Sequence, residues 1–148
     1  MNIEYEIKKS PNKGNGLYTK QQIKKGDIIW DITKSNLTSS INDDELLDYI
    51  KKYSDQEKYN IFSYMFCFNG MCYDIKNDDA KYTNHSNNPN SYVNELCQSI
   101  AMRDIEIGEE ICENYRTYQH DLPNYKEQMT KIMKGTWDIL ANRWDKIV

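Results

Sequence analysis

The stretch Lys81-Tyr82-Thr83-Asn84-His85-Ser86-Asn87-Asn88-Pro89-Asn90 concentrates side-chain amides, hydroxyls and an imidazole around a single proline. Three readings of it stand open. Asn and Ser side chains bond back to nearby backbone and Pro fixes its own φ, so the segment forms a tight loop with or without further purpose. Asn84-His85-Ser86 also fits the glycosylation acceptor pattern. The third reading is a ligand site built from loop backbone. Gly14-Asn15-Gly16 allows close backbone approach, although on its own a turn between strands is the default. Glu109 and Glu110 are neighbours on a segment that reads as extended, so they point to opposite faces and are not an acid/base pair. Among Cys67, Cys72, Cys97 and Cys112, only the first two approach zinc-ligand spacing. Buried free thiols in a reducing compartment are the expectation.

Composition narrows the classes. The start Met1-Asn2-Ile3-Glu4-Tyr5 has no basic region followed by an apolar run, so no secretory signal is read and the glycosylation acceptor is expected to go unused. No segment approaches the roughly 18 unbroken apolar residues of a membrane span, and a soluble intracellular chain is expected. With 148 residues and 39% apolar content, the chain is long enough for one core and too short for two. Its 19 basic and 23 acidic residues leave a net charge of −4, which lacks the cationic footprint of duplex binding and suits a basic peptide partner.

The elements that position these residues read as short strands. Ile3 to Ile7 alternates apolar and polar, Ser10 to Gly16 breaks the pattern, and Leu17-Tyr18-Thr19 resumes it. Ile28-Ile29-Trp30 reads as a buried strand after the turn at Lys24-Lys25-Gly26-Asp27. Asn42-Asp43-Asp44-Glu45 resembles a capping box, with Leu46, Leu47, Ile50 and Tyr53 following at helical spacing. Ile61 to Tyr73 reads as a hairpin turning at Asn69-Gly70. Ser91 to Val93, Ile100 to Ile105 and Glu110 to Cys112 are strand-like. Beyond Pro123 a stripe of Tyr125, Met129, Ile132, Met133, Trp137, Leu140, Trp144 and Ile147 predicts one long helix, weakest at Gly135, expected to pack on its own domain, with docking on a second subunit as the alternative. A mainly β, α+β fold is expected.

Three segments, in order, carry a resemblance. Lys13-Gly14-Asn15-Gly16-Leu17-Tyr18, then Asn84-His85-Ser86-Asn87-Asn88-Pro89-Asn90, then Arg103-Asp104-Ile105 leading through Gly108-Glu109-Glu110 to Tyr115, resemble the motifs of SET-domain protein lysine methyltransferases. The likeness spans about Ile7 to Tyr118, and the closest look is to compact stand-alone members of bacteria and large DNA viruses, without zinc modules. It implies small curved β-sheets around a pseudoknot, with residues 1–118 as the SET domain and residues 119–148 as a C-terminal helical extension. It also implies S-adenosylmethionine as cofactor and the ε-amine of a lysine in a protein, a histone tail among the candidates, as acceptor.

Roles carried over by this resemblance make Tyr115 the catalytic tyrosine. Lys13, Gly14, Asn15, Gly16, Asn84 and His85 would hold the cofactor, with Tyr118 covering its adenine. Tyr64 resembles an aromatic of the lysine channel; read alone, it is a core or surface strand residue. Asn87 stands where many members place a zinc-binding cysteine, so no metal is expected. Glu113 stands where many carry Phe or Tyr; on an extended segment it shares a face with Tyr115 and is assigned to the lysine channel, against a reading as a solvent-turned Glu. The alternatives are a catalytically weak SET domain that binds lysine peptides, which Glu113 favours, and a purely structural β-protein. Monomer and homodimer both remain open.

Overall fold

A computed structural model describes residues 1–119 and 121–135. The chain opens with an antiparallel hairpin of β1 (Tyr5–Ser10) and β2 (Gly14–Thr19). Its turn occupies residues 11–13, where Asn12 takes φ 61°, so Gly14-Asn15-Gly16 is strand and not the turn expected from its glycines. Asn is one of the few side chains that tolerates that left-handed conformation, which frees Gly14 to begin the strand.

β3 (Ile28–Asp31), β9 (Gln98–Ala101) and β8 (Ser91–Val93) form a second antiparallel sheet in the order β3-β9-β8. A third, ordered β4-β6-β5, contains β4 (Ser39–Asn42), β5 (Met65–Phe68) and β6 (Met71–Asp74). Asn69 at φ 49° and Gly70 at φ 79° make the primed turn between β5 and β6, as the sequence predicts. One pair beyond that turn, Cys67 and Cys72 stand directly opposite with Cα atoms 4.1 Å apart and form a disulfide. The close approach of a non-hydrogen-bonded pair brings the two sulfurs together, which corrects the expectation of four free thiols. Cys97 and Cys112 are free and buried.

Three helices accompany the sheets among the described residues. α1 (Asp43–Ile50) begins on the expected capping box between Asn42 and Glu45. α2 (Asp55–Ser63) begins on a second box, Ser54 with Glu57, and takes Ile61 to Ser63 away from the predicted hairpin, which starts only at Met65. α3 (Pro123–Met133) ends at Lys134, whose φ of 57° is left-handed, one residue before Gly135. Trp137, Leu140, Trp144 and Ile147 of the expected stripe lie outside the described residues. Asp43 of α1 accepts the N–H groups of Asn124 (2.9 Å) and Tyr125 (2.8 Å), satisfying donors that the first turn of α3 leaves open. Tyr125 and Met129 are fully buried, with the Phe62 and Tyr125 rings 5.9 Å apart.

The last strand pair makes the interleaving. β10 (Cys112–Glu113) runs parallel to β7 (Asn84–His85). The segment leading into β10 lies on β2, where Ile111 N–H donates to the Leu17 carbonyl at 2.8 Å. On its other side the loop after β7 grips it: Asn90 donates from Nδ2 to the Glu110 carbonyl and accepts from Cys112 N–H, and Ser91 Oγ donates to the Cys112 carbonyl. Strands far apart in sequence thereby interlock, giving a mixed α+β fold of curved sheets in a pseudoknot-like order with a C-terminal helix. Two apolar clusters flank this crossing, one including Phe62, Met65, Phe66 and Tyr125, the other Leu17, Ile23, Ile105 and Ile111. No helix among the described residues is long and apolar enough to cross a membrane.

Candidate active site

The crossing brings Tyr115 against β7. After β10, Asn114 caps a 3-10 turn, Tyr115–Thr117, by accepting the Arg116 N–H. The Tyr115 N–H donates to His85 Nδ1 at 3.1 Å, and its hydroxyl donates to the Thr83 carbonyl at 2.5 Å. His85 is buried, and the Arg116 guanidinium stands 3.1 Å from its Nε2 while donating to Asn87 Oδ1 at 2.6 Å. Burial, then the charges of Glu113 and Glu110 and the Cys112 thiol, push the Tyr115 hydroxyl well above its ordinary range. It therefore stays protonated near neutrality.

A cleft of about 320 Å³ opens beside Tyr115, lined by Lys13, Gly14, Asn15, Tyr64, Lys81, Tyr82, Asn84 and His85 among others. Lys13 reaches across it to donate to the His85 carbonyl at 2.8 Å. Asn84 Nδ2 donates to the Asn15 carbonyl (3.0 Å) and to Glu110 Oε1 (2.7 Å), tying β7 to β2. Glu110 also accepts from Ser10 Oγ at 2.8 Å and from the Tyr18 hydroxyl at 3.3 Å. A Cβ at Gly16 would collide with Glu110 Oε1 and stand 3.0 Å from Ser10 Cβ, so glycine is needed there for the carboxylate. Gly14 is glycine for its φ of +80°, with open space where a Cβ would point.

A smaller cavity of about 30 Å³ adjoins the cleft and shares Ser63, Tyr64, Lys81 and Tyr115 with it, the remaining wall being Met65, Phe66, Ile75, Ala80, Thr83 and Tyr118. Tyr64 caps the end of α2, and the Lys81 ammonium lies 5.4 Å from its ring centroid and 5.0 Å from that of Tyr82. Lys81 also donates to the Lys76 carbonyl at 2.7 Å.

The structure thus gathers Lys13, Gly14, Asn15, Asn84, His85, Tyr64 and Tyr115 around one cleft, and leaves Gly16, Tyr118 and Glu113 off its lining. Tyr118 is buried instead, its ring stacked on Tyr115 at 5.2 Å and packed on Phe66 at 5.3 Å. Glu113 is neither solvent-turned nor on the cleft: it is 5% exposed, with Oε1 accepting from Ser99 Oγ and Oε2 from the Tyr118 hydroxyl, both at 2.5 Å. Sequence reasoning missed Lys81, although it stands three residues before Asn84 on the same loop. It also missed Glu110 as the tie between hairpin and loop.

Among the described residues, no three His, Cys, Asp or Glu side chains group so as to hold a metal ion.

Interlocked strands, an Asn-His strand beside a tyrosine-bearing turn and a glycine strand across the cleft together define a SET domain. The chain matches the SET domain family over residues 14–116 and belongs to it. It is 31% identical over 134 residues to a Saccharomyces cerevisiae histone-lysine N-methyltransferase, H3 lysine-36 specific, a match covering 84% of this chain and 17% of the relative. A Candida glabrata protein of the same description is 33% identical over 116 residues, covering 72% of this chain and 16% of the relative. The chain thus aligns with under a fifth of the length of either. Among solved structures, ctPRC2 in an autoinhibited conformation bound to S-adenosylmethionine matches with a TM-score of 0.61 at 20% identity, covering 92% of this chain and 17% of that one. A humanized mutant of Chaetomium thermophilum Polycomb Repressive Complex 2 bound to an inhibitor matches at 0.60 and 19% identity, covering 86% and 16%. These structural likenesses concern the fold.

Proposed function

We propose that this chain transfers a methyl group from S-adenosylmethionine to the ε-amine of a lysine in a basic protein or peptide. The observation that carries this reading is the position of Tyr115 in the wall shared by the large polar cleft and the small apolar cavity. The cleft fits the cofactor's methionine end: Lys13 and Lys81 offer cations to a carboxylate, Asn84 Oδ1 offers an acceptor to an ammonium, and Gly14 leaves backbone exposed. Bound there, the cofactor supplies an electrophilic methyl group on a sulfonium.

The acceptor lysine must arrive or become neutral, whereas a free lysine side chain titrates near 10.4. Tyr64, Phe66, Ile75, Ala80 and Tyr118 form an apolar wall that disfavours the ammonium form and excludes water. Tyr118 belongs to this wall in place of the adenine cover expected for it. The Tyr115 hydroxyl, held protonated and donating to the Thr83 carbonyl, stands in the wall where cleft and cavity meet and orients the amine for in-line attack; it is not the base. Asn87, where the resemblance puts a zinc-binding cysteine in other members, accepts from the Arg116 guanidinium at 2.6 Å, which supports the compact, metal-independent type. The relatives' H3 lysine-36 specificity and the net charge of −4 support a basic tail as substrate.

Incubation with S-adenosylmethionine and an array of lysine-bearing basic peptides, read by mass spectrometry, tests the proposal. Addition of methyl groups to lysine is the expected result. Peptide binding without methylation on any peptide would instead establish the binding-module reading, and absence of both binding and turnover would leave the fold without this function.

A further inference from the structure

We infer that Glu113 is a positioning residue for Tyr115: its carboxylate, held between the Ser99 and Tyr118 hydroxyls, pins the Tyr118 ring against the Tyr115 ring and thereby places the Tyr115 hydroxyl. The inference rests on the proposed methyl transfer for its kinetic meaning. Glu113 is the last residue of β10, and the 3-10 turn that follows folds the chain back so that Tyr118, five residues on, returns its hydroxyl to the same carboxylate. Tyr118 N–H closes the turn onto the Tyr115 carbonyl at 3.1 Å. The other carboxylate oxygen is anchored on β9 through Ser99, so the clamp fastens the Tyr115 turn to the β3-β9-β8 sheet. The Tyr115 ring is held between Tyr118, at 5.2 Å, and His85, at 5.4 Å.

A carboxylate this buried, with hydroxyls as its hydrogen-bond partners, is costly compared with an apolar side chain of similar size. Burial raises the Glu113 pKa above its ordinary range and the two hydroxyl bonds only partly offset this. The titratable groups around it are Cys97 and Cys112, both pushed up to about 12 by burial first, and Tyr115 and Tyr118, raised further. His85, with Arg116 beside it, faces Tyr115 from β7. The ionised carboxylate accepts from both hydroxyls at once; a proton on it removes an acceptor and loosens the clamp.

The test compares wild type, Glu113→Gln, Tyr118→Phe and the double variant by kcat and KM against pH, with His85 kept throughout. The expected result is a fall in kcat of about tenfold in each single variant with KM within about twofold, and a double variant no worse than the more severe single. Wild-type kcat falls as pH drops through the raised Glu113 pKa, and this acid limb is missing in Glu113→Gln. Effects that multiply, a rise in KM at constant kcat, or a limb that persists in Glu113→Gln overturns the inference. Tyr118→Phe keeps the stacked ring, so its kcat decides the matter where Glu113→Gln does not fold. If the wild type has no turnover, the functional reading fails, and the ¹⁹F resonance of 3-fluorotyrosine at position 115 decides the positioning alone. A shift or broadening in Tyr118→Phe and Glu113→Gln supports the clamp, and an unchanged resonance removes it.

Discussion

Asn84 and Glu110 show how differently two residues of one site can be legible. Asn84 belongs to a dense local motif and was identifiable from its neighbours. Glu110 sits beside another carboxylate in a segment whose alternation says nothing of Ser10 or Asn84, the partners that give it a role across a separation of 100 and 26 residues. The seat of Tyr118 has no local signal either: the 3-10 turn at Tyr115–Thr117 decides where its ring points, stacked on Tyr115. Glu110 and Gly16 make a testable pair. Gly16→Ala drives a Cβ into the Glu110 carboxylate, which must release Ser10 or Asn84 to make room. Overpacking of this kind costs about 1–3 kcal/mol. Thermal melting should record that loss and calorimetry a weaker cofactor affinity, and an unchanged melt would remove the steric account of Gly16. Asn84→Ala strips donors from the Asn15 carbonyl and from Glu110, so cofactor affinity should fall by about tenfold, from about 1–3 kcal/mol of unmet hydrogen bonding.

Among the elements, capping chemistry was the most legible signal and periodicity the less complete one. Asn42 with Glu45 announces α1, and Ser54 with Glu57 forms the same capping box for α2, whose polar body, burying Ile61 and Phe62, carries no apolar stripe to mark it as a helix. The apolar stripe marks α3, but its seat is set by Asp43, in a tertiary contact with no local trace. Asp43→Ala should cost about 1–2 kcal/mol by leaving two N–H donors at the start of α3 without the carboxylate. Chemical denaturation measures it, and an unaltered midpoint means that water replaces Asp43 fully. Asp78 fastens another element, the 3-10 segment Asp79–Tyr82 that carries Lys81. Burial pushes its pKa up, but bonds from the Ala80 and Asn36 N–H groups and the Ser35 hydroxyl outweigh burial and hold it below its ordinary range. Its stabilising contribution is therefore complete above the unfolded value, about 3.9, and is lost as pH falls through the depressed folded value. Asp78→Asn should lower stability at neutral pH and flatten that acid limb in urea titrations; parallel pH curves for variant and parent would contradict this.

At the scale of the whole molecule, the interlocking of β10 with β7 is what no local rule supplies. Chain connections ordinarily avoid threading, so the pseudoknot-like order entered only through resemblance, on motifs placed far apart in the chain and brought together by the fold. A net charge of −4 argues against duplex binding, but composition carries no trace of the Cys67–Cys72 disulfide, which depends on hairpin register. On the proposed function, Tyr115 stands between a cofactor cleft and a lysine cavity. Tyr115→Phe keeps the ring between His85 and Tyr118 and removes only the hydroxyl. The decisive measurement is its kcat on a peptide that the parent methylates, taken beside its Kd for S-adenosylmethionine. The expected result is a loss of at least about tenfold in kcat, since one positioned hydroxyl is worth a few kcal/mol in the transition state, with cofactor Kd nearly unchanged. Parental kcat in the variant would contradict it.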